Sequence, residues 1–95
     1  MGAPVQRFAS VIRLRPEAEA EYRRLHAAVP AAVLQRLRDS GIGNYSIFLR
    51  DGVLFSYCEY SGTDWAADTA AIAADPATRE WWRLTDPCQQ PVPTA

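Results

Sequence analysis

Hydrophobic and polar positions alternate from Val5 to Leu14, with Phe8, Ile12 and Leu14 on one side and Arg7, Val11 and Arg13 on the other. That period predicts a strand. Pro16 then opens a helix at a position where a missing N–H costs nothing. Glu17, Glu19 and Glu21 lie in its first turns, where carboxylates complement the helix dipole. Tyr22, Leu25, Val29, Val33 and Leu37 recur at helical spacing as an apolar stripe, and Gly41 supplies the stop. Pro30 falls inside this helix and cannot donate to the carbonyl of His26, so a bend is expected there. The bend serves packing or opens the mouth of a cavity.

Two β-rich runs follow, Asn44 to Arg50 and Val53 to Tyr60, joined by Asp51-Gly52, the dipeptide of a two-residue hairpin turn. Thr63 or Asp64 can cap a second helix from Trp65 to Ala74, and Asp75-Pro76 restarts a short one through Leu84. The order strand, helix, strand, strand, helix predicts an α+β fold, a ferredoxin-like sandwich with an antiparallel sheet and helices on one face. Residues 1–95 read as one domain with a Pro-rich tail from about residue 87. That tail offers no convincing final strand, so the sheet is expected to have three strands unless Gln89 to Pro93 pairs somewhere. An unfinished sheet has an edge to hide. The expected remedy is a second copy packed sheet against sheet, a homodimer of the dimeric α+β barrel type.

Composition narrows the partners. With 48% hydrophobic and 22% charged residues and a formal charge of −1, the chain is a globule and lacks the basic footprint of a nucleic-acid binder. Glu21, Arg23, Arg24, Arg36, Arg38 and Asp39 read as a solvated helix face. The chain contains no apolar run of the ~18 to 20 residues that cross a bilayer and no basic segment followed by an apolar one at its start, so no membrane partner is expected and a cytoplasmic location is. Cys58 and Cys88 fit no zinc or CxxC spacing, and with one histidine in the chain free thiols and no metal site are expected.

Candidate chemistry centres on that histidine. Tyr22 and His26 are four residues apart, which puts both rings on one helical face. Imidazole is the side chain best suited to proton transfer near neutral pH, although a lone helical histidine is more often a surface or packed residue. Trp81 and Trp82 are adjacent, hence about 100° apart on a helix, and cannot both enter one part of the core. Either both anchor a small core, or at least one faces a cavity or an interface. Indole faces suit the C–H face of a sugar while polar neighbours meet its hydroxyls.

The segments "EYRRLHAAV" from Glu21 to Val29, "NYSIFLRDGVLFSYCEY" from Asn44 to Tyr60 and "AAIAADPATREWWRLTDPCQQPVP" from Ala70 to Pro93 closely resemble the L-rhamnose mutarotase family in matching order over nearly the whole chain. The resemblance implies a dimeric ferredoxin-like isomerase that interconverts the α and β anomers of L-rhamnose or a similar 6-deoxyhexose, without metal or organic cofactor. It further implies that His26 is the proton donor and that Tyr22, Tyr45, Trp81 and Trp82 contact the sugar, with Asn44 and Asp86 lining the pocket. The residue types suit the reaction, since opening a cyclic hemiacetal needs one group to accept the anomeric proton and another to protonate the ring oxygen.

Two departures accompany the likeness. The family commonly has Trp-Pro where this chain has Pro30-Ala31, and it usually continues into an aromatic and acidic tail beyond the Pro-rich segment. The pocket floor, one wall and the dimer contacts are therefore expected to differ. A cofactor-free oxygenase or cyclase of the same barrel type, and a non-catalytic binding module, remain as alternatives to the mutarotase.

Overall fold

A computed structural model describes residues 5–91. The hairpin that forms its centre is dictated by two residues. Asp51 and Gly52 both have positive φ, 51° and 74°, the twist that returns a chain into an antiparallel partner. Around them β2 (Ile42–Arg50) pairs with β3 (Val53–Tyr60), and β3 pairs on its other side with β1 (Gln6–Leu14). The alternation anticipated in β1 is realised. Leu14 is buried, Phe8 and Ile12 are half-buried, and Arg7, Val11 and Arg13 are exposed on the opposite face.

A fourth strand completes the sheet. β4 (Gln89–Gln90) pairs antiparallel with the end of β1, Arg13 opposite Gln90 and Leu14 opposite Gln89, giving the order β2-β3-β1-β4. The three-strand expectation is thus corrected by the conditional pairing at its first two residues. Pro91 has no N–H to offer the ladder, and the remainder of that stretch, to Pro93, lies outside the described residues.

The first helix is broken, not merely bent. Pro16 opens a 3-10 turn, Pro16–Ala18, that leads into α1 (Glu19–His26); the chain then turns, and α2 runs Ala31–Asp39. Pro30 stands just before α2 with φ −55° and ψ 137°, an extended conformation incompatible with continuing a helix. Consequently α1 ends at His26. Gly41 closes α2 with φ 81°, and a Cβ there would come within 3.0 Å of the Gly62 nitrogen, so glycine is required both by conformation and by space.

The second helical region is capped twice by aspartate. Asp64 accepts from the Ala67 amide at 3.0 Å and starts α3 (Trp65–Ala74). Asp75 accepts from the Thr78 amide and hydroxyl, both at 2.9 Å, and starts α4 (Pro76–Thr85), which a 3-10 turn, Asp86–Cys88, connects to β4.

Packing between the sheet and the helices forms two separate clusters. Leu14, Tyr22, Leu54 and Cys88 make one, and Ile42, Tyr60 and Ile72 make the other. Both thiols are free, Cys88 buried and Cys58 half-buried. No helix among the described residues is long and apolar enough to cross a membrane.

Candidate active site

Between the two clusters lies a cavity of about 930 Å³, at the upper end of the range for small-molecule sites. Tyr22 and His26 from α1, Tyr45 from β2, Trp81 and Trp82 from α4, and Asp86 all line it. Six of the seven residues expected at a site therefore converge although they come from four parts of the chain.

His26 is fixed from three sides. Its Nδ1 lies 2.9 Å from the Tyr22 carbonyl oxygen. A carbonyl can only accept, so Nδ1 carries the hydrogen, and Nε2 is left without a partner in this contact. The imidazole stacks on the Tyr22 ring with centroids 4.1 Å apart and meets Trp81 edge to face at 5.1 Å. It is half-buried and lines the cavity.

The two tyrosines are set up as donors. Burial pushes the Tyr22 phenol above its ordinary range, against an opposing hydrogen bond with Gln89, and the neighbouring Tyr45 and Cys88 push it further the same way. Burial also raises the Tyr45 phenol, with Cys58 adding to it. Both hydroxyls consequently keep their protons at neutral pH and can donate to an oxygen in the cavity.

Tyr45 reaches the cavity through a β-bulge. Gly43 pairs with Glu59 and Ser46 with Tyr57, so Asn44 and Tyr45 together oppose the single residue Cys58. Asn44 takes up the extra residue with φ 45°, a left-handed conformation that asparagine tolerates. Strict alternation from Ile42 would have sent Tyr45 to the outer face; the bulge turns it inward. The Asn44 side chain is correspondingly not in the cavity lining, and its Nδ2 donates to Glu59 Oε1 at 2.6 Å on the far side of the sheet. Asn44 thus departs from the expected pocket position because the bulge that admits Tyr45 excludes it.

The tryptophans divide as their 100° offset requires. Trp81 is half-buried against His26, and Trp82 is 38% exposed at the cavity wall. Sequence reasoning did not single out Ser10 and Ser56, which also line the cavity from the centre of the sheet. The available signal was their shared inward parity on β1 and β3, visible once the strand register is known.

Comparison with known proteins identifies the family. The sequence profile of the L-rhamnose mutarotase family matches residues 7–95. The chain is similar to an L-rhamnose mutarotase of Opitutus terrae, 39% identical over 79 residues that cover 81% of this chain and 73% of the relative. A second L-rhamnose mutarotase, of Listeria monocytogenes serotype 4b, is 31% identical over 91 residues, covering 94% and 85%. In fold it is similar to the crystal structure of L-rhamnose mutarotase from Formosa agariphila, with a TM-score of 0.72, 20% identity and 95% of each chain covered. The chain belongs to the L-rhamnose mutarotase family.

Proposed function

We propose that this isomerase interconverts the α and β anomers of L-rhamnose by acid/base ring opening, with His26 as the proton-transfer group. The observation that carries the reading is the single tautomer of His26. Its Nδ1–H is committed to the Tyr22 carbonyl, and Nε2 belongs to a ring that lines a cavity walled by indole and phenol.

In the ring-opening step, the imidazolium gives its Nε2 proton to the ring oxygen as the bond from that oxygen to C1 breaks, and is left as the Nδ1–H tautomer that the Tyr22 carbonyl holds. The electron pair of the departing anomeric O–H bond forms the aldehyde C=O. The anomeric proton passes to Asp86, the one carboxylate among the described residues lining the cavity. Rotation about C1–C2 presents the other face of the aldehyde, and closure reverses both transfers. Overall no proton is gained or lost, so the group that gives must also take. Imidazole does this with comparable ease in both directions, whereas a phenol whose proton is held more tightly than usual does not. Tyr22 and Tyr45 accordingly bind sugar hydroxyls. The indoles of Trp81 and Trp82 cover the C–H face and the 6-deoxy methyl group.

The second part of the proposal is a homodimer. On the outer face of the sheet Val11, Phe55 and Phe48 are cross-strand neighbours, and they are 50%, 44% and 63% exposed. Three large apolar side chains in one row on a central sheet face are what a second copy would cover. Arg13 and Arg50 lie in the next rung on one side, and Arg7 and Glu59 lie two rungs away on the other, beyond Ala9, Tyr57 and Ser46, which gives the covered face a polar rim.

Saturation-transfer NMR of L-rhamnose tests the activity. Wild-type protein is expected to accelerate anomer exchange, and His26→Ala to lower that acceleration by about 10² to 10⁴. Equal acceleration by both proteins rules out the assigned role of His26.

A further inference from the structure

Along the two central strands, a polar rung interrupts the apolar middle of the sheet face beneath the helices. Phe8 pairs with Cys58 and Ile12 with Leu54; between them Ser10 pairs with Ser56. The hydroxyls of this pair are hydrogen-bonded to each other. The serine rung falls where the core divides, with Ile12 and Leu54 belonging to one cluster and Phe8 and Cys58 to the other. Ser10 is exposed although it sits on an interior strand under the helical layer. Two small polar side chains at the middle of a covered sheet leave unfilled the space that the cavity occupies, and both serines line it together with His26.

A pair of hydroxyls has two O–H donors, of which one is spent within the pair. The rung therefore presents one donor and several lone pairs to whatever occupies the cavity. A diol needs that combination, because each of its hydroxyls both donates and accepts. Its neighbours along both strands are apolar, so the rung is the polar contact that the central floor offers a sugar.

The geometry of a pyranose says which hydroxyls reach it. C3 lies across the six-membered ring from the ring oxygen, and C4 across from C1. His26 belongs to the helical layer and the serine rung to the sheet opposite. A sugar with its ring oxygen at Nε2 and its anomeric hydroxyl at Asp86 turns the atoms across the ring, C3 and C4, away from α1 and toward the sheet. We infer that Ser10 and Ser56 form the subsite for the 3,4-diol of the pyranose and select substrates that carry both hydroxyls. This inference rests on the mutarotase reading and extends it from the reacting end of the sugar to the far edge.

The test is the concentration dependence of anomer exchange for L-rhamnose and its 2-deoxy, 3-deoxy and 4-deoxy analogues, with wild type, Ser10→Ala/Ser56→Ala and Ser10→Thr. For wild type, KM is expected to rise about tenfold for the 3-deoxy and 4-deoxy sugars and to change little for the 2-deoxy sugar. In the double alanine variant KM for L-rhamnose rises about tenfold, kcat stays within about threefold, and the discrimination against the 3-deoxy and 4-deoxy sugars disappears. Ser10→Thr, which keeps the hydroxyl, keeps the low KM. A lower thermal midpoint with KM and sugar preference unchanged would mean the serines only pair the strands, and overturns the subsite alone. If wild type exchanges no sugar, the activity reading fails and the subsite with it. Should the double variant not fold, the wild-type deoxy-sugar series decides, and equal KM values across it overturn the inference.

Discussion

At the scale of single residues, proton placement is settled by which atoms can accept. The Tyr22 carbonyl holds Nδ1–H, and the same tyrosine lends its ring to stack on the imidazole, so one residue orients His26 twice. Glu59 shows the same logic on the opposite face of the sheet. Hydrogen bonds from Asn44 and then Tyr57 hold its carboxyl below the usual range, with Arg7 assisting. A lowered folded pKa contributes stability that is complete above the unfolded value of about 4.5 and is lost as pH falls through the folded value. On acidification from neutrality, the thermal midpoint of wild type is therefore expected to fall more steeply than that of Glu59→Gln; parallel curves would contradict this. The Tyr22 and His26 pairing was legible because helical spacing is a local property. The inward turn of Tyr45 was not, because a bulge is decided by pairing with a distant strand, and the outward turn of Asn44 follows from the same cause.

At the scale of elements, caps and breaks position the site. Pro30 ends α1 at His26, so the histidine stands on the last turn of a helix, beside the break and at the cavity. Asp75 starts the helix that carries both tryptophans and also satisfies the hydroxyl of buried Thr78. Asp75→Ala is expected to lower unfolding free energy by about 1 to 2 kcal/mol in urea titration, with Asp75→Asn losing less. No shift in the urea midpoint for Asp75→Ala would show that α4 is held by packing alone. The hairpin, a cap at Thr63 or Asp64, and the helix restarted at Asp75-Pro76 were readable since each depends on residues a few positions apart. The break after His26 was readable only as a bend, because the sequence shows that Pro30 withholds a hydrogen bond but not how the chain relaxes. β4 was harder still. Two residues carry no periodicity, and Gln89 and Gln90 become a strand only because the end of β1 offers them a ladder.

At the scale of the whole molecule, the sheet has two unlike faces. Its inner face is split into two apolar clusters with the cavity between them, and its outer face presents the row Val11, Phe55 and Phe48. Sedimentation at micromolar concentration is expected to show a wild-type dimer and a Phe55→Arg monomer, since an unpaired charge would have to be buried in the middle of the contact. A wild-type monomer would remove the proposed dimer. Family membership, together with six converging residues, favours the mutarotase over the oxygenase or binding-module alternatives that the sequence left open. Catalysis as proposed turns on one nitrogen and one oxygen, and a crystal structure of the protein soaked with L-rhamnose measures their separation. His26 Nε2 is expected within about 3.2 Å of the ring oxygen, with an indole over the C–H face. A bound sugar whose ring oxygen and anomeric hydroxyl both lie beyond hydrogen-bond reach of Nε2 would contradict it.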